Sequence, residues 1–116
     1  MNKKILAFFS ILIFVTTLVF AATPTADNVC TRYETIAREF SAMATNVSKN
    51  PQLLESNATM SKLQNLQQRL NSVAIDAKYL DYDKVSDQHV NRIMEATRKI
   101  EQAQLKINSV MQKYMN

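Results

Sequence analysis

Glycine is absent from all 116 residues, as is tryptophan, and the chain has two prolines, one cysteine and one histidine. At an average usage of about 7%, a chain of this length would carry about eight glycines. Without them there is no phosphate-cradling P-loop, no GxGxxG dinucleotide turn and no GxSxG nucleophile elbow. Tight type I′ and II′ hairpins are disfavoured too, because they need residues that tolerate positive φ. A single histidine removes most multi-histidine metal sites, and a single cysteine removes CxxCH haem attachment.

What is present begins with an apolar run. Lys3 and Lys4 precede Ile5–Phe20, a stretch in which only Ser10, Thr16 and Thr17 are polar. Val19 and Ala21 stand at −3 and −1 of a cleavage site before Ala22. A basic start, an apolar core and a small-residue exit are the three regions of a secretory signal peptide, here residues 1–21. The rival is a retained membrane anchor, since 5–22 is at the short limit for crossing a hydrocarbon core of about 30 Å. Cys30 lies too far downstream, after Val29, for a lipoprotein signal. Beyond residue 21 the formal charge of +4 falls to +2, because Lys3 and Lys4 leave and 12 basic residues face 10 acidic ones. That balance argues against nucleic acid as a partner.

Residues 22–28 are expected to form a flexible leader, and 29–116 a helical domain. Val29, Tyr33, Ile36, Phe40, Met43 and Val47 recur at spacings of four and three, a heptad seam. Asn50-Pro51 ends that helix and supplies an N-cap and a first-turn proline for the next. A second seam runs Leu63, Leu66, Leu70, Val73, Ala77, Leu80. The second helix is therefore either 51–80 or a short turn followed by 58–80. Ser86 is the N-cap expected for a third helix, with Val90, Ile93, Thr97, Ile100, Gln104, Ile107, Met111 and Tyr114 on its seam. The polar Thr97 and Gln104 imply either a partner position or a seam one residue out of phase. Glu34–Arg38 and Glu95–Lys99 are spaced for i,i+4 ion pairs. The fold class expected is all-α: a small antiparallel three-helix, up-down-up bundle with coiled-coil-like heptad seams behind an N-terminal signal peptide.

Chemistry is sparse. Cys30 sits in the first turn of the first helix, where the helix N-terminus and Arg32 would lower a thiol pKa. It is a candidate for an intermolecular disulfide. His89 has Arg92 one turn on, which opposes metal binding. Asp81, Asp83 and Asp87 fall at positions 1, 3 and 7 of a calcium loop, but Val85, Ser86 and Arg92 occupy 5, 6 and 12. Asn46-Val47-Ser48 and Asn57-Ala58-Thr59 match the glycosylation pattern, without meaning behind a bacterial signal. No cofactor and no catalytic set is expected. The third helix carries more apolar residues than the first two cover, and it outlasts the first. The candidate interaction surface is therefore its last turns: Ile107, Val110, Met111, Tyr114 and Met115.

In general architecture the chain resembles small exported helical proteins such as periplasmic chaperones and accessory subunits of secretion or pilus systems; no motif carries the likeness. The expectation is an exported, periplasmic or secreted, non-enzymatic protein acting by protein–protein interaction or self-association through helix faces. The alternatives are a small haem or redox carrier and a membrane-tethered accessory subunit of a secretion or pilus-type assembly.

Overall fold

The first helix starts where a threonine leaves extended backbone. Thr25 has φ −96° and ψ 153°, and its Oγ1 accepts the Asn28 N–H at 3.1 Å. α1 then runs Ala26–Lys49, with Asp27 in the first turn, where the helix dipole favours an anion. It starts three residues before Val29, so Ala26–Asn28 belong to the helix and not to a flexible leader. The computed structural model describes residues 24–115. The expected signal segment, 1–21, lies outside the described residues.

Asn50 (φ −140°, ψ 85°) is out of helical conformation, as a residue before proline tends to be. It was expected to cap the next helix, but its side chain makes no capping bond. Pro51–Glu55 forms a 3-10 turn instead. Ser56 is the cap, its Oγ accepting from Thr59 N–H at 3.4 Å, and α2 runs Asn57–Lys78. Of the two boundaries the sequence allows, the short turn plus helix is realised. Leu80 lies beyond the helix end yet stays buried. A second 3-10 turn, Tyr82–Lys84, is held by Asp81, whose carboxylate accepts the Asp83 N–H at 3.1 Å. Ser86 then caps α3, Asp87–Met115, its Oγ accepting from His89 N–H at 3.2 Å.

The described residues hold three α-helices, two 3-10 turns and no strand. Arg32 of α1 reaches Asp76 of α2, and Glu39 reaches Arg69, so the two helices run antiparallel. Asp27 and Glu34 of α1 meet His89 and Arg92 of α3, so these two run parallel. α1 is the central rod and packs most closely on α3. The domain is elongated, 49 × 28 × 19 Å. No helix among the described residues is long and apolar enough to cross a membrane.

Burial follows the expected stripe of α1 throughout: Val29, Tyr33, Ile36, Phe40, Met43 and Val47 are all buried. On α2, Leu63, Leu66 and Val73 are fully buried, while Leu70 and Ala77 pack at the edge. On α3 the phase differs from the expected one. Ala96 and Ala103 are buried, with Ile100, Ile107 and Met111, whereas Thr97 and Gln104 stand one residue aside at the margin. Gln104 Nε2 donates to Gln67 Oε1 at 3.4 Å, so the polar position meets an amide of α2 in the same chain. Val90 is exposed, not core. Alanine suits these places because α1 also buries Ala37 and Ala44, and small side chains let two helices approach closely.

Candidate functional site

Both flanks of α1 are staked by interhelical ion pairs seven residues apart. Towards α2, Arg32 binds Asp76 and Glu39 binds Arg69 through both carboxylate oxygens, at 3.0 and 2.7 Å. Towards α3, Glu34 takes two bonds from Arg92, and Asp27 meets His89. Hydrogen bonds from Arg92 hold the Glu34 carboxyl below the usual carboxylate range, and those from Arg69 do the same for Glu39. The i,i+4 pairs expected within helices are not the ones formed. Glu34 turns to Arg92 rather than Arg38, and Glu95 to Arg98 rather than Lys99. For Glu95, whose alternative is a lysine, the bidentate guanidinium–carboxylate fork with Arg98 is the stronger contact.

Between α1 and α3 lies an open groove of about 850 Å³. Ala37 and Ala96 form part of its lining, with Ser41, Arg38 and Lys99 along it and the Glu34–Arg92 pair inside it. Arg38 donates only to the Thr35 hydroxyl, at 3.3 Å, and like Lys99 it has no carboxylate within ion-pair distance among the described residues. A smaller recess of about 180 Å³ between α1 and α2 is lined by Thr31, Arg32, Thr35, Ile36, Arg69 and Ser72. Both of its arginines are already paired.

Cys30 is fully buried where α1 meets the start of α3, its thiol donating to the His89 carbonyl at 3.4 Å. Burial pushes the thiol pKa up, and Arg92, not Arg32, is the cation that opposes the shift. The expected lowering is therefore reversed: desolvation outweighs the nearby charge. An intermolecular disulfide through Cys30 would require the α1–α3 seam to open, since no sulfur surface is accessible. His89 is engaged at both ring nitrogens. Nε2 lies 2.8 Å from Asp27 Oδ1, and Nδ1 accepts the Ser86 N–H at 3.0 Å. That N–H fixes Nδ1 as an acceptor, so Nε2 carries the proton and donates to Asp27. Ser86 and His89 thus cap α3 reciprocally, a capping box with histidine in place of the usual Glu or Gln.

The interaction surface expected at the end of α3 is largely interior. Ile107 is fully buried and Met111 nearly so, while Val110 packs against the core. The reason is the 3-10 turn 51–55, which sends fully buried Leu54 into the core. Tyr114 is partly exposed, and its hydroxyl donates to Glu55 Oε2 of that turn at 2.7 Å. The side chain of Met115 lies outside the described residues. Large apolar side chains do reach solvent elsewhere on α3: Val90, Met94 and Leu105 are 44%, 64% and 68% exposed. Tyr79 and Tyr82 are exposed at the α2–α3 connector. Of these, Val90 was expected on the α3 seam. No family model, no curated protein and no solved structure matches the chain.

Proposed function

We propose that this is an exported helical binding module, carried out of the cytoplasm by residues 1–21 and acting through the outer faces of a three-helix bundle with coiled-coil-like heptad seams. The observation that carries the binding role is the exposure of Val90, Met94 and Leu105 on α3 while the same helix fills a core with a different stripe. Apolar side chains left outside a satisfied core are a contact surface, and methionine adapts readily to a partner's shape. The groups best suited to chemistry are occupied: Cys30 is sealed in the core, and His89 has both nitrogens engaged. This supports a periplasmic or secreted accessory or chaperone-like protein over an enzyme or a haem carrier.

Two measurements test the reading. N-terminal sequencing of the protein recovered outside the cytoplasm is expected to begin at Ala22; a start at Met1 favours the tethered accessory subunit. A photo-crosslinking residue at Met94, introduced in the producing cell, is expected to give a discrete adduct. The same residue at Ser61, on the exposed face of α2, is expected to give none. Equal labelling at both positions removes the α3 face as the contact surface.

A further inference from the structure

The outer face of α3 carries a heptad series of its own. Met94, Arg98, Glu101 and Leu105 are all exposed and stand four, three and four residues apart. The same steps lead back to Asn91 and Asp87, both exposed, and on to half-buried Asn108 and exposed Gln112. At about 100° per residue, this series lies about 150° around the helix from Ala96, Ile100, Ala103, Ile107 and Met111, which fill the core. α1 packs against that core stripe, and α2 approaches through Gln67 on Gln104. The outer series is left to solvent.

The series is complementary to itself when reversed. A two-fold axis between Lys99 and Ile100 sets Met94 of each copy opposite Leu105 of the other, and Arg98 opposite Glu101. Farther out it sets Asn91 opposite Asn108 and Asp87 opposite Gln112. Apolar meets apolar, cation meets anion, and amide meets amide or carboxylate, each contact occurring twice as an isologous interface requires. Other arrangements lose this match. Parallel pairing puts Arg98 on Arg98 and Glu101 on Glu101. Sliding the antiparallel pair by one heptad puts Arg98 on Met94 in one direction and Glu101 on Leu105 in the other. The groups concerned are available within the chain. Glu101 makes no ion pair among the described residues. Arg98 holds Glu95 through Nε and Nη2 and keeps Nη1 for a second carboxylate. Asn108 Oδ1 is buried without a hydrogen-bond partner. The axis lies near the middle of α3, so two copies overlap along about 39 Å of helix. Only two apolar side chains per copy lie on the seam, fewer than a permanent interface carries, so monomer and dimer exchange. A lipid surface is disfavoured because Asp87 and Glu101 stand in the series.

We propose that the exposed face of α3 binds a second copy of this chain, antiparallel about a two-fold axis between Lys99 and Ile100, with Met94 on Leu105 and Arg98 on Glu101. This rests on the binding-module reading and names the partner of the Met94 face.

The test is sedimentation equilibrium of the exported protein over a range of concentrations, which is expected to show monomer passing to dimer. Arg98→Glu and Glu101→Arg each set like charges opposite one another twice across the axis. Each is expected to weaken dimerisation at least tenfold, with helical circular dichroism unchanged. An equimolar mixture of the two variants is expected to recover the dimer, because each supplies the charge the other lacks. The R98E/E101R double variant exchanges the charges within one chain, and it is expected to dimerise within severalfold of the starting protein. Parallel pairing would give the double variant no such recovery. A monomer at every concentration, or single variants that dimerise as well as the starting protein, overturns the proposal. So does a mixture or a double variant that stays monomeric while folded. A Met94 adduct in the cell with a different protein, beside a chain that stays monomeric, removes the second copy and leaves the binding-module reading in place. Neither dimer nor adduct removes both.

Discussion

Two leucine-sized truncations on one helix, two residues apart, separate the core of α3 from its surface. Ile107 is fully buried, while Leu105 is 68% exposed. Ile107→Ala removes side-chain carbon from the interior and leaves a cavity in the core cluster, a change that costs about 2–5 kcal/mol. Leu105→Ala gives up only the third of the side chain that is out of water. At about 25 cal/mol per Å² of apolar surface, an area on the order of 50 Å² is worth roughly 1 kcal/mol. Alanine's slightly better helix propensity offsets part of even that. A domain of this size has a total stability of about 5–14 kcal/mol, so the first change takes a large fraction of it and the second little. The assay is urea unfolding followed by circular dichroism at 222 nm, with the slope compared across variants so that a midpoint shift can be read as stability. Ile107→Ala is expected to lose at least about 1 kcal/mol more than Leu105→Ala, the difference between a core and a surface truncation. Equal losses, or a larger loss at Leu105, would place the helix in the opposite rotation and refute the phase described above.

The buried thiol of Cys30 is expected to react with a disulfide reagent only as fast as the α1–α3 seam opens, and at once in urea; prompt stoichiometric labelling of the folded protein contradicts its burial. Glu39 has its carboxyl pKa lowered by Arg69, so this pair stabilises fully above the unfolded value near about 4.3 and is lost as pH falls through the lower folded value. Half-exposed as it is, the pair is worth less than about 1 kcal/mol, so Glu39→Gln should flatten acid unfolding slightly below about pH 4.3; an unchanged pH profile refutes the link. Ile100→Pro breaks the middle of α3 and should cost at least about 3 kcal/mol, read as loss of cooperative thermal unfolding.

Helix boundaries were the most legible feature, because single residues set them. Pro51 forbids α1 from continuing, and Ser86 supplies a hydroxyl where α3 has free N–H groups. The phase of α3 was harder. Its apolar residues lie on two sides of the helix, and a count of large side chains draws the seam through Val90, Thr97 and Gln104. The parallel contact with α1 selects otherwise. It buries Ala96 and Ala103 of α3, as it buries Ala37 and Ala44 of α1. Alanine carries little hydrophobic weight in a periodicity count, so the positions that decide the helix–helix distance are the ones such a count overlooks.

The end of α3 failed as a binding surface for a related reason. Comparing helix lengths suggests an overhang, yet the connector is part of the packing: Leu54 enters the core from a 3-10 turn and Glu55 holds Tyr114. The charged residues show the converse. Glu34 is spaced in the sequence for a pair with Arg38 on its own helix, yet it turns across to Arg92 of α3. That pairing depends on the parallel offset between two helices separated in the chain by a third, so it is a property of the assembled bundle rather than of either helix alone.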